Sequence, residues 1–167
     1  MEQRTILLDD NQINNRINRI AYQLYEDHVD DSEIIIAGVV QNGFLLAEKL
    51  SAVLATICPI KITLCPITLE KHNRLNTDVK IPLSPDSLKE KSVVLVDDVL
   101  NSGQTLFHSI KPFLLTEVKK LRTVVLINRS HCKFPIKPDF VGLALATTLH
   151  EHVSVEFDGK KVTAWLS

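Results

Sequence analysis

The chain has 167 residues, of which 45% are hydrophobic, 23% charged and 5% aromatic. A chain of about 150 residues buries roughly two thirds of its unfolded surface; one globular domain over residues 1–167 is therefore expected, and disorder is excluded as the main state. Nineteen Lys and Arg against twenty Asp and Glu leave a formal charge of −1, which excludes a global field that would draw the protein onto nucleic acid or an anionic membrane.

The first segment, Ile6-Leu7-Leu8 before Asp9-Asp10, is too short for a signal peptide, and no apolar run reaches membrane-span length. Three cysteines without a CxxC pair fit buried thiols in a reducing compartment, so a cytoplasmic location is expected. Asn11 is a candidate cap for a helix carrying Ile13, Ile17, Ile20, Ala21 and Leu24 on one face and ending near His28. Ile34 to Val40 is a continuous β-branched run, the mark of a strand covered on both faces. A helix is expected over 44–55 and a strand over 60–68, followed by a polar stretch, Glu70 to Asp78, that reads as a mobile loop. A second buried strand at Ser92–Val96, a helix over 106–118 and a third strand at Thr123–Ile127 complete a parallel α/β series. Short strands at about 139–145, 152–157 and 161–166 follow, the last two joined through Asp158-Gly159; they read as an appendage to the sheet.

Five glycines, at 38, 43, 103, 142 and 159, place no G-x-G-x-x-G and no Walker A loop, so dinucleotide-binding and P-loop folds drop out. What remains is Val93-Val94-Leu95-Val96-Asp97-Asp98-Val99-Leu100-Asn101-Ser102-Gly103-Gln104-Thr105, an apolar strand ending in two carboxylates and turning through small polar residues into a helix. In open α/β sheets ligands sit beyond the carboxyl ends of strands. Gly103 lets a backbone approach a phosphate, and the Ser102 and Thr105 hydroxyls can donate to it. Two adjacent acids there can accept from sugar hydroxyls or hold water on a hard cation such as Mg²⁺. Asp is also common at caps and turns, but the whole thirteen-residue run favours the ligand site.

This run resembles the phosphoribosyl-pyrophosphate (PRPP) motif of the type I phosphoribosyltransferases. Leu7-Leu8-Asp9, the helix from Asn14 to Ala21, and Asn128 to Gly142 further resemble one branch, the bifunctional pyrimidine-operon attenuation regulators with uracil phosphoribosyltransferase activity. The resemblance implies a central parallel sheet flanked by helices, a flexible loop over the active site and a small hood near the base. It implies transfer of 5-phosphoribose from PRPP to a nucleobase, uracil foremost, with Mg²⁺ on the pyrophosphate and on Asp97 and Asp98. Residue by residue, Asp97 and Asp98 would hold the ribose hydroxyls, and Asn101, Ser102, Gly103, Gln104 and Thr105 the 5′-phosphate. Gln41-Asn42-Gly43 would form the pyrophosphate loop, Lys71 and Arg74 the cations of the flexible loop, and Arg129, Thr147 and Thr148 the base side. The partners implied are PRPP, a nucleobase, a nucleoside monophosphate and a second copy of the chain in a dimer or higher oligomer.

Departures from the branch pattern set further expectations. Gln41-Asn42-Gly43 stands where the branch has Thr-Arg-Gly, removing a guanidinium from the anion site; Asn101 and Gln104 replace an aromatic residue and an Arg, and Asn128 an Asp. Slower transfer is expected, with a nucleotide sensor of little turnover and a purine phosphoribosyltransferase as alternatives. For RNA only a local patch around Arg16, Arg19, Lys133 and Lys137 remains, and operon RNA binding is not the favoured reading. His150 and His152 share a face in an extended segment but lack a third metal ligand.

Overall fold

The computed structural model describes residues 4–71 (Lys71 by its backbone only), 77–148 and 151–167. The chain runs β1 (Thr5–Leu8), α1 (Asp10–Asp27), β2 (Glu33–Val39), α2 (Asn42–Ile57), β3 (Lys61–Lys71), β4 (Thr77–Lys80), α3 (Pro85–Leu88), β5 (Ser92–Leu100), α4 (Gln104–Ser109), α5 (Lys111–Leu114), β6 (Lys120–Asn128), β7 (Phe140–Ala144), β8 (Val153–Asp158) and β9 (Lys161–Leu166). Six strands form the main sheet in the order β4-β3-β2-β5-β6-β7, parallel except for β4.

The continuous apolar runs of β2 and β5 are explained by two cores, one on each face of this sheet. Ile34 and Ile36 of β2 and Val94 and Val96 of β5 pack with Ile13, Ile17 and Leu24 of α1 and with Leu46 and Leu50 of α2. Their alternate neighbours Ile35, Val93 and Leu95 face Leu88, Leu106 and Phe113 on the other side. Side chains alternate along a strand, so a strand covered on both faces has no polar position to spare.

Several sequence expectations are corrected. The cap of α1 is Asp9, not Asn11: Asp9 accepts from the Gln12 backbone at 2.8 Å while Gln12 Oε1 accepts from the Asp9 backbone at 3.0 Å, a reciprocal capping box. The helix expected over 106–118 is two short pieces, α4 and α5, because Pro112 lacks the amide that would carry one helix through. The polar stretch 70–78 is paired at both flanks, with Glu70 opposite Asp78 and Lys71 opposite Thr77, so its ends belong to a hairpin. Its centre, including His72 and Arg74, lies outside the described residues. The turn between β8 and β9 is Gly159-Lys160, since Asp158 still pairs with Lys161. Of the cysteines only Cys65 is fully buried, its thiol pushed up to about 11 by burial; Cys58 is half-buried and Cys132 exposed.

The tail does not extend the main sheet as an appendage. β7 does join it, but β8 and β9 pair with β1 in a separate three-stranded antiparallel sheet of order β1-β9-β8. The Val162 amide donates to Asp10 Oδ1 at 2.8 Å, and Lys49 Nζ donates to the Lys160 carbonyl at 2.8 Å, fixing this small sheet to α1 and α2. At the amino ends of the main strands, Glu33 pairs with Lys61 and Lys91, Asp31 with Lys119, and Asp27 with Lys120 and Arg122. No helix among the described residues is long and apolar enough to cross a membrane.

Candidate active site

A cleft of about 410 Å³ opens where β2 and β5 end, with the small sheet as its far wall. Gln41, Asn42 and Gly43 line it at the start of α2, Asp97, Asp98, Asn101 and Thr105 along β5 and its turn, and His152 to Val155 opposite. An adjoining concavity of about 50 Å³ is formed by Asn101 to Leu106 together with Asp97. Three groups chosen from the sequence, the acid pair, the 101–105 loop and the 41–43 loop, thus meet in one place.

The acid pair lies inside the strand and not on the turn. Asp97 pairs with Val125 of β6, and Val99 and Leu100 continue the ladder to Ile127 and Asn128. Asp97 is buried, and desolvation, reinforced by the neighbouring Asp98 charge, pushes its carboxyl well above the usual aspartate range. The Asp98 backbone amide donates to Asp97 Oδ1 at 2.9 Å, which favours the charged form but does not outweigh burial. Gly43 makes room for this arrangement. A Cβ there would sit 2.8 Å from the Val96 carbonyl oxygen and 3.2 Å from Asp97 Oδ1, so only glycine seats the start of α2 against the acids.

Asn42 departs from its expected role. Its amide nitrogen donates to Asp98 Oδ2 at 3.0 Å and to the Val155 carbonyl at 2.9 Å, so the donor expected to face an anion is already engaged. No Lys or Arg lines the cleft among the described residues. The Lys71 side chain and Arg74, the expected flexible-loop cations, lie outside the described residues, as does His150.

The 101–105 loop turns through Gly103, whose φ of 83° is left-handed and whose place against Ile136 leaves 2.6 Å for a Cβ. α4 begins at Gln104, so the amides of its first turn have no partner inside the helix. Ser102 Oγ accepts from the Gln104 amide at 3.3 Å, and the Ser102 carbonyl accepts from the amides of Lys133 and Phe134 at 2.8 and 3.2 Å. Phe134 stacks obliquely on Phe107, ring centroids 5.6 Å apart. The 130–136 segment is therefore a brace beneath the loop, a role no local sequence pattern signals.

Arg129, Thr147 and Thr148 do come together, but Arg129 and Thr147 lie buried beside the cleft and not on its described walls. Arg129 Nε donates to Thr147 Oγ1 at 3.0 Å, Nη1 to Asn101 Oδ1 at 2.8 Å, and Nη2 to the carbonyls of Thr148 and Glu151. His131 Nε2 lies 2.5 Å from the Thr147 carbonyl.

Residues 3–159 match the family model of the phosphoribosyl transferase domain. The chain belongs to the phosphoribosyltransferase family. Within it the chain is similar to curated relatives named bifunctional protein PyrR: that of Fusobacterium nucleatum is 32% identical over 167 residues, covering 93% of this chain and 94% of the relative. That of Haemophilus ducreyi is 30% identical over 164 residues, covering 92% of each. Among solved structures, a hypoxanthine-guanine phosphoribosyltransferase of Bacillus anthracis superposes with a TM-score of 0.74 at 19% identity, covering 84% of this chain and 83% of that one. A hypoxanthine phosphoribosyltransferase of Trypanosoma cruzi also gives 0.74 at 18% identity, covering 95% and 89%. These two share the type I phosphoribosyltransferase fold with this PyrR-like chain.

Proposed function

We propose that this cleft transfers 5-phosphoribose from PRPP to a nucleobase, uracil foremost, releasing pyrophosphate. The observation that carries the reading is the placement of Asp97-Asp98 and the 101–105 loop on one cleft wall, with the small sheet facing them. The loop suits the 5′-phosphate because its amides and the hydroxyls of Ser102 and Thr105 can converge on an anion without a cation. Asp98, half-buried and already oriented by Asn42, would accept from a ribose hydroxyl. Transfer of this kind builds positive charge at C1 as pyrophosphate departs, so positioning and charge carry the rate and no protein nucleophile is called for.

Mg²⁺ suits the two carboxylates, which are hard oxygen donors. Among the described residues no group of three or more His, Cys, Asp and Glu could hold a metal unaided, so an ion arriving with PRPP would be held by Asp97 and Asp98. When bound it offsets the charge of the departing group.

A second reading, a nucleotide sensor with little turnover, is favoured by one observation: the engaged Asn42 amide beside a cleft without Lys or Arg among its described walls. The relatives named bifunctional protein PyrR agree with a second role beside transfer, and the resemblance to operon regulators makes RNA the partner to test for that reading. One experiment separates the cases. Nucleotide formation is measured from PRPP and Mg²⁺ with uracil, hypoxanthine, guanine, adenine and orotate in turn. UMP formation with uracil is expected; turnover only with a purine would replace uracil. Tight UMP binding with no product from any base would establish the sensor.

A further inference from the structure

We propose that Arg129 is a positioning residue that couples the 5′-phosphate loop to the base side of the cleft, an inference that rests on the phosphoribosyl reading above. Arg129 is 8% exposed, and its guanidinium reaches both walls from behind. One end is held by Asn101, the first residue of the loop; the other by Thr147 and the carbonyls of Thr148 and Glu151. Glu151 directly precedes His152, with which the far wall of the cleft begins. A single planar fork therefore spans the separation between the two walls.

The chemistry of the fork makes this more than a packing contact. Guanidinium presents its N–H groups in one rigid plane, so the directions of Asn101 Oδ1, Thr147 Oγ1 and the two carbonyls are fixed relative to one another. Its charge adds to the link: Glu151 is held below the usual glutamate range by hydrogen bonds from Thr148 and, further, by the Arg129 charge. Burial raises the cost of breaking any of these bonds, because a charged donor left without an acceptor away from water loses its hydration as well. Any shift of Asn101 on phosphate binding is passed to Arg129, which is bonded to the Glu151 carbonyl beside the opposite wall. Coupling of this kind is reciprocal.

The test uses ribose 5-phosphate, which occupies only the sugar-phosphate half of the site, and Thr147→Val, an isosteric change on the base side that removes one Arg129 acceptor. Dissociation constants are measured by calorimetry for wild type, Thr147→Val, Arg129→Lys and the double variant, with melting curves for each. Thr147→Val is expected to weaken ribose 5-phosphate about tenfold, the loss of one charge-assisted hydrogen bond. In the Arg129→Lys background the same change is expected to have no further effect, whereas general loosening would add in both backgrounds. If Arg129→Lys does not fold, the Thr147→Val comparison decides. Wild type that binds ribose 5-phosphate with Thr147→Val unchanged overturns the coupling alone. Wild type that does not bind it overturns the phosphoribosyl reading, and the coupling with it.

Discussion

The Asn42 amide nitrogen bridges Asp98 Oδ2 and the Val155 carbonyl, at 3.0 and 2.9 Å, tying the 41–43 loop both to the acid pair and to the small sheet. A neutral side chain here fixes the direction of a carboxylate and brings no charge to the cleft. Asn42 therefore spends both amide hydrogens on order at Asp98 and the small sheet.

Two substitutions separate those effects. Asn42→Ala releases Asp98 and adds no charge; Asn42→Arg releases it and adds a cation. Pyrophosphate is expected to bind Asn42→Arg at least about tenfold more tightly than Asn42→Ala, since a hydrogen bond to a charged group contributes about 1.5 kcal/mol or more and alanine supplies none. Inhibition of nucleotide formation by pyrophosphate, or calorimetry with pyrophosphate and Mg²⁺, measures it. Equal constants for the two variants would show that the loop does not face pyrophosphate.

Asp97 predicts a conflict between stability and binding. Its raised value in the fold means that the folded state holds the proton more firmly than the unfolded chain. Its contribution is thus present at low pH and is lost as pH rises through the folded value, so that keeping this side chain desolvated costs more at pH 7 than in acid. Asp97→Asn keeps the acceptor for the Asp98 amide and removes the carboxyl that titrates. The variant is expected to melt roughly 2–4 °C higher at pH 7, the effect of about 1 kcal/mol in a chain of this length, with the gain shrinking toward pH 4. PRPP affinity is expected to fall in the same variant. A lower melting temperature at pH 7 would mean that the charge is compensated and structural.

The ion pairs at the opposite end of the sheet predict acid sensitivity. Hydrogen bonds from Lys91, then Lys61 and Thr63, lower Glu33 from its ordinary 4.5 to about 2. Burial alone would raise Asp27 and Asp31, but Arg122 with Lys120, and Lys119, hold them below the ordinary value. A depressed carboxylate contributes stability that is complete above its unfolded value and disappears as pH falls through its folded one. Wild type is expected to be more stable than Glu33→Gln at pH 7, with the difference closing between about pH 4.5 and 2. Urea unfolding at pH 7, 4 and 3 measures this; a constant difference would rule out Glu33 as its source.

The parallel series and the acid-pair loop were legible because each depends on a contiguous pattern: continuous apolar runs for strands covered on both faces, and thirteen neighbouring residues for the loop. The extent of β5 was not legible. Asp97 and Asp98 read as a strand end by polarity, but pairing with β6 carries the strand to Leu100. The second partner of β9, β1, was equally hidden, since Thr5 meets Leu166 only once the whole chain has closed. At the site, the types of Asn42 and Arg129 were plain, but their acceptors lie on other segments: Asp98 and Val155 for one, Asn101 and Thr147 for the other. Spacing along the sequence carries no trace of such convergence.

RNA binding is expected to be weak, and the structure narrows the patch that could support it. Arg19 Nη2 donates to the carbonyls of Val141 and Gly142 at 2.8 and 2.7 Å, and Arg16 Nη1 to the Gln12 carbonyl at 3.1 Å, so both side chains are partly committed within the protein. Lys133 and Lys137 are exposed. Each phosphate neutralised on a single strand contributes about −0.7 to the slope of log affinity against log salt, so four cations give a slope no steeper than roughly −3, and a net charge of −1 adds no long-range steering. Filter binding to a pyrimidine-operon leader transcript, with UMP titrated at two salt concentrations, measures both slope and affinity. Weak binding with a shallow slope is expected. Nanomolar, UMP-stimulated binding that survives physiological salt would require contacts beyond these four cations and would make RNA recognition the principal activity.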